Sequence, residues 1–189
     1  CFGHEWLGVV AGVAADVTAL RAGDAVTSSP FIGCGGCPAC LEGRTNHCRQ
    51  ATILGAGPTG ALRTWLELPV SQLVAVPAAL APAGILLEPA SVAVEAVRLL
   101  DGIGVAGPVA VVGGGPIGLL TACYLHDRGD EVVVIERHAH RRELAGRLGL
   151  DATGEPAAQH GRFAALLDCS SALRGPGGFA LALELGPHV

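Results

Sequence analysis

Four cysteines within fifteen residues, Cys34, Cys37, Cys40 and Cys48, set the pattern C-x2-C-x2-C-x7-C in a glycine-rich segment. Two-residue gaps let a chain turn three sulfurs toward one point, and the fourth closes the set from across a short loop. Four thiolates suit tetrahedral zinc. With no coordination position left open, such a site holds a loop together and does no chemistry of its own. Two disulfides or clustered free thiols are the competing readings. Three cysteines this closely spaced do not readily pair in good disulfide geometry, which favours zinc.

The chain has 189 residues and half of them are hydrophobic, enough for a folded core. A net charge of -5 gives no basic footprint, so a nucleic-acid partner is not expected. The longest apolar runs, such as Val109 to Val112, have the length of a strand, and no membrane span is expected from them. No methionine occurs, position 1 included, so the sequence is expected to be part of a longer chain. Four cysteines in metal spacing and three scattered ones, Cys1, Cys123 and Cys169, fit a reducing compartment, with the cytoplasm as the expected location.

The sequence divides into two textures. Residues 1–90 alternate short β-like runs (Leu7 to Val10, Ala25 to Thr27, Trp65 to Leu68) with turns rich in glycine and proline, which predicts an irregular β unit. Residues 91–189 predict an α/β unit. It opens with a helix capped by Ser91 whose apolar face includes Val92, Val94, Ala96, Val97, Leu99 and Leu100. A strand at Val109 to Val112 then runs straight into Gly113-Gly114-Gly115-Pro116-Ile117-Gly118 and a helix over Leu119 to Leu125.

That glycine pattern is G-x-G-x-x-G with a strand before it and a helix after it. Gly113 permits the tight turn, Gly115 lets the backbone approach a pyrophosphate, and Gly118 lets helix and strand pack closely. Pro116 and Ile117 fill the remaining loop positions. The next strand, Val132 to Ile135, ends at Glu136, eighteen residues after Gly118, where an acid accepts hydrogen bonds from ribose hydroxyls and favours NAD. Arg137 beside it leaves NADP possible. A helix at 139–148, a strand near Asp151 to Thr153 and another over Ala164 to Cys169 continue a parallel doubly wound sheet, and Pro176 to Leu185 reads as helical. Ser170 and Ser171 follow a strand whose carboxyl end faces the cofactor.

Gly3-His4-Glu5, the four-cysteine loop, Glu88-Pro89 ahead of a helix, and the Gly-Gly-Gly-Pro-Ile-Gly turn occur in this order across nearly the whole chain. In that order they resemble the zinc-dependent medium-chain alcohol dehydrogenases, most closely the polyol and sugar dehydrogenase branch. The resemblance implies a partial GroES-like catalytic lobe over 1–90 and a partial Rossmann domain over 91–189, with the active site in the cleft between. It implies a structural zinc on the four cysteines and a catalytic zinc on His4 and Glu88, with Glu5 either a third ligand or a nearby electrostatic partner. Glutamate at position 88 is typical of the polyol branch, where other members have cysteine. The family also implies a further cysteine ligand well upstream of Gly3, a place Cys1 is too near to take.

The implied reaction is hydride transfer between a secondary alcohol (a polyol, sugar or cyclitol) and a nicotinamide cofactor, by an enzyme expected to be a homo-oligomer at full length. The alternative is a truncated relative that binds zinc and nucleotide without a redox step. Cys123 and Cys169 read as small core side chains, and His47, inside the cysteine loop, as a residue the metal does not need. His126, His138, His140, His160 and His188 read as solvated.

Overall fold

The computed structural model describes residues 2–57, 59–155 and 161–170. The chain forms two compact units, Cys1–Glu88 and Pro89–Val189.

The first unit is built from very short strands: β1 (Gly8–Val9), β2 (Ala25–Ser28), β3 (Phe31–Ile32), β4 (Thr52–Ile53) and β5 (Leu73–Ala75). β1, β2 and β5 form one antiparallel sheet with β2 in the middle, and β3 pairs with β4 in another. Between β3 and β4 lies the cysteine loop, ordered as a one-turn helix α1 (Pro38–Leu41) and a 3-10 turn over Thr45–His47. Few side chains are buried here, chiefly Leu20, Val26, Cys48, Leu54 and Val76. The strand expected at Trp65 to Leu68 is not formed. Those residues pair with no neighbour in either sheet, and Trp65 is 74% exposed, so the run has no apolar surface to join.

Ala78–Leu86 winds as a 3-10 helix straight into α2 (Leu87–Gly102). Ser91 therefore lies inside a helix rather than capping one, because the helical path is already established before Glu88-Pro89; proline is tolerated in a first turn, where its missing N–H leaves nothing unbonded. The buried stripe of α2 is Pro89, Ala93, Val97 and Leu100, spaced by four, four and three residues as a helix face requires. Val92, Val94 and Leu99, expected in that face, are exposed. By length and composition alone the 25-residue stretch Ala78–Gly102 is apolar enough to cross a bilayer, which reading the apolar runs one by one had missed. Val97 and Leu100 enter the core of the second unit, the ordinary place for an amphipathic helix.

The second unit continues with β6 (Val109–Val112), α3 (Pro116–Asp127), β7 (Val132–Ile135), α4 (Ala139–Arg147), β8 (Asp151–Thr153) and β9 (Ala165–Asp168). The strands form a parallel sheet in the order β8-β7-β6-β9. Every residue of β6 and β7 is buried, as expected of strands covered on both faces. One side of the sheet packs Val109, Val111, Val132 and Val134 against Leu119, Ala122 and Leu125 of α3; the other packs Ala110, Val112, Val133 and Ile135 with Phe163. The helix expected over Pro176 to Leu185 lies outside the described residues.

Candidate functional site

The cysteine loop brings Cys34, Cys37, Cys40 and Cys48 together with their sulfurs within 4.8 Å of one another. Four thiolates about 2.3 Å from one zinc stand roughly 3.8 Å apart, so small side-chain rotations close this set on an ion. The backbone is shaped for it. A Cβ at Gly33 would sit 2.6 Å from the Cys40 sulfur, so only glycine admits that sulfur.

Amides face the sulfurs too. The N–H groups of Gly36 and Cys37 pull the Cys34 thiol down to about 6. The Cys34 amide donates to the Cys48 sulfur at 3.5 Å, and it is the main cause holding Cys48 below its ordinary value. For Cys40 the Gly35 amide acts downward, but burial and the neighbouring sulfurs outweigh it and push the thiol up to about 11. Thiolates packed this closely repel one another, and a cation among them compensates that charge. That is the donor set a metal completes. The surface hollow beside it is lined among others by Arg44, His47 and Arg49, with the Arg44 guanidinium paired to Glu42. His47 itself is exposed and outside the ligand group.

A second group forms from residues distant in sequence. His4, Glu5 and Glu88 place ligand atoms within 4.8 Å of one another, and His4 Nε2 lies 4.0 Å from Glu88 Oε2. The Gly3-His4-Glu5 segment is held by main-chain bonds on both sides. Ala61 N–H donates to Gly3 O (2.8 Å), Leu62 N–H to Phe2 O (3.0 Å), and buried Thr27 donates its hydroxyl to Trp6 O (2.7 Å). Trp6 in turn donates its indole N–H to Ser28 Oγ at 3.2 Å. Glu88 enters from the first turn of α2, where the helix dipole favours a carboxylate. Three nitrogen and oxygen ligands with a position left over is the pattern of a zinc site that works on a substrate. Cys1, read as a bystander, lies outside the described residues.

In the second unit, β6 runs into Gly113, whose φ of +100° only glycine adopts without strain. A Cβ there would lie 3.0 Å from Cys169 O and Ser170 N, so the turn also needs room against the end of β9. A Cβ at Gly118 would run into the Gly113 carbonyl oxygen, while one at Gly115 would meet nothing within 4 Å. The loop is thus tight toward the sheet and open on its outer side. Gly115 caps α3 and Pro116 occupies its first turn; Ile117, at the rim, is partly exposed. β7 and β8 lie on one side of β6 and β9 on the other, so the strand order reverses beside this loop, where open α/β sheets take their ligands.

Glu136, at the end of β7, is 4% exposed. Its Oε2 accepts from Gly114 N–H (2.8 Å) and its Oε1 from His138 N–H (2.7 Å). Burial alone would raise its carboxyl, but these two amides and Arg141 together hold it below the usual carboxylate value. Arg141 Nη1 lies 3.5 Å from Oε2, a partner that the sequence reading missed. It stands five residues after Glu136, on the first turn of α4. The neighbouring Arg137 is exposed and bonded to His138 Nε2 at 3.0 Å. Ser170 follows β9 beside Gly113, with its amide donating to Asp168 Oδ1 (2.7 Å); Ser171 lies outside the described residues. Cys123 and Cys169 pack partly buried against the core, where burial raises both thiols.

Known proteins match parts of both units. Residues 1–78 match the alcohol dehydrogenase GroES-like domain, and residues 107–150 match an FAD binding domain. The second match covers the strand–glycine loop–helix–strand unit around Gly113 to Gly118. L-galactonate-5-dehydrogenase of Escherichia coli (strain K12) is 36% identical over 149 residues, covering 78% of this chain and 44% of that protein. Among solved structures, galactitol-1-phosphate dehydrogenase from Escherichia coli superposes with a TM-score of 0.81 at 26% identity, over 98% of this chain and 56% of that one. A zinc-binding dehydrogenase from Sinorhizobium meliloti 1021 bound to NADP gives 0.69 at 35% identity, over 83% of this chain and 46% of that one.

Along most of its length the chain is similar to the zinc-type medium-chain alcohol dehydrogenases, and it has their fold in part, GroES-like and then Rossmann. It spans a little under half the length of the curated relatives it matches.

Proposed function

We propose that this chain carries the metal and nucleotide sites of an oxidoreductase that moves hydride between a secondary alcohol, of the polyol, sugar or sugar-acid class, and a nicotinamide dinucleotide. In this reading residues 1–90 are the metal-binding catalytic lobe and residues 91–189 the dinucleotide-binding domain. Cys34, Cys37, Cys40 and Cys48 hold a structural zinc, and His4, Glu5 and Glu88 hold a catalytic one. The observation that carries the reading is the convergence of His4, Glu5 and Glu88 within 4.8 Å, from segments more than eighty residues apart. Neither a surface histidine nor a helix-end glutamate needs such company.

When bound, zinc polarises the alcohol oxygen and the nicotinamide takes up the hydride. The chain's own groups do the rest. Two carboxylates and one imidazole make a hard donor set that leaves a metal more Lewis acidic than thiolates do. The Gly113 to Gly118 turn leaves space for a pyrophosphate at the start of α3, and Gly115, Pro116, Ile117 and Gly118 line the approach. Glu136 and Arg137 face the adenosine end. The substrate class is supported by relatives named for L-galactonate, L-threonine and L-arabinitol, and the nicotinamide by the NADP-bound Sinorhizobium protein.

The test is an oxidation assay of the full-length protein, loaded with zinc, against a panel of polyols, sugar acids and hydroxy amino acids, with the His4→Ala and Glu88→Ala variants beside it. Reduction of the nicotinamide by wild type, falling at least about 100-fold in either variant, supports the reading. Turnover that survives His4→Ala unchanged would remove it.

A further inference from the structure

His4 belongs to no helix or strand, so its place is set by what holds the chain on either side of it. After it, Trp6 O accepts the Thr27 hydroxyl. Before it, the chain leaving β4 folds back across Gly3. A Cβ at Gly55 would lie 2.7 Å from Gly3 O, 2.8 Å from Gly3 C and 2.9 Å from Gly3 N, inside van der Waals contact with all three. Backbone therefore lies directly on backbone. Gly55 also has a φ of +87°, which a side chain would strain. The same loop closes around the Gly3 peptide from its far end, where Gly55 N–H donates to Thr59 O and Ala61 N–H to Gly3 O, both at 2.8 Å.

Neither side of this contact is free to step away. Leu54, next to Gly55, is 1% exposed and donates its N–H to Pro30 O (2.8 Å), which pins the end of β4. A methyl at position 55 would thus press on Gly3, and the displacement passes to His4, the next residue. The imidazole lies 4.0 Å from Glu88 in a ligand group that converges within 4.8 Å. Metal bonds hold their lengths to within about 0.2 Å, so such a group tolerates little displacement. We propose that Gly55 is a positioning residue for the His4, Glu5 and Glu88 site, and that its lack of a side chain sets where the His4 imidazole stands against Glu88. The proposal rests on the catalytic-metal reading of that site and adds a residue outside the ligand set on which the site depends.

Titration of the metal-free full-length protein with cobalt(II), followed by absorption, tests it without any turnover. The signal that His4→Ala removes is that of the second site. Gly55→Ala is expected to weaken cobalt there by about 10- to 100-fold while the cysteine loop changes less than about threefold. Gly23→Ala is the control. Gly23 shares the left-handed backbone, with φ of +96°, in the same unit, but a Cβ on it would meet nothing within 4 Å. Its alanine variant should melt earlier than wild type and keep both affinities. Wild-type affinity at the second site in Gly55→Ala, or a loss no greater than in Gly23→Ala, would overturn the proposal and leave the metal site standing. Loss of both ions together in Gly55→Ala would also overturn it, making Gly55 a residue of the fold rather than of the site. A wild-type protein with no signal that His4→Ala removes would take away the catalytic-metal reading and this proposal together.

Discussion

The loop between β3 and β4 and the sheet around β6 achieve order in opposite ways. In the sheet, β6 and β7 bury all four of their residues, and α2 and α3 cover them with Val97, Leu100, Leu119 and Leu125. In the loop, α1 and the 3-10 turn bury nothing, and Cys48 is the one buried member of the four-cysteine set. One region is held by apolar area removed from water, and the other, on the proposed zinc reading, by what its sulfurs bind. On that reading, the difference teaches that a loop with little core takes from a metal what the sheet takes from packing.

This contrast is breakable at each end. The largest effect is expected at the loop. Cys40→Ser removes one of four ligands, and with it several of the roughly 10–16 kcal/mol that structural zinc supplies to small metal-held folds. Limited proteolysis should then cut within residues 33–50 while nucleotide binding by the second unit persists. Simultaneous loss of both would show that the two regions do not stand independently.

The next effect belongs to the sheet. Leu125→Ala opens a cavity at a side chain 1% exposed, at an expected cost of about 2–5 kcal/mol in denaturant unfolding of the second unit, with zinc content unchanged. Gly118→Ala follows. Its methyl meets the Gly113 carbonyl, so a cost of about 1–3 kcal/mol is expected, and dinucleotide affinity should fall further than stability does. Retained affinity in this variant would mean the loop is not the pyrophosphate cradle.

The smallest effect is a pH dependence at Glu136. Its carboxyl is held below its ordinary value of 4.5 in the fold, so the stability it contributes is fully present above that value and is lost as pH falls through the lower, folded one. Glu136→Gln should flatten the acid limb of a stability–pH curve; an unchanged limb would show that the amide bonds to Glu136 carry no net weight.

The same contrast decides how much the sequence reveals. Val132 to Ile135 and Asp151 to Thr153 form as strands at the residues expected, and α3, α4 and β9 lie within a few residues of expectation, because continuous apolar runs between glycine turns have no other place to go. β1 and β2 fall on the runs expected at Leu7 to Val10 and Ala25 to Thr27, but β3 and β4 are two residues each and carry no periodicity to read, while Trp65 to Leu68 carries it and forms no strand. Ser91 resembled a cap only because the 3-10 segment ahead of α2 has no hydrophobic pattern of its own. At the sites, the cysteines and glycines are legible as motifs, since spacing alone sets their geometry. Arg141 is not, because its pairing with Glu136 depends on how the chain turns from β7 into α4, which no motif encodes.

The most direct test of the two-metal account is zinc stoichiometry per chain, by elemental analysis after exhaustive dialysis, on wild type, Cys40→Ser and His4→Ala. The account predicts two zinc ions per wild-type chain, with one lost in each variant and a different one in each case. A single zinc in wild type that survives His4→Ala would contradict it, leaving the cysteine loop as a metal site and His4, Glu5 and Glu88 as neighbours without an ion.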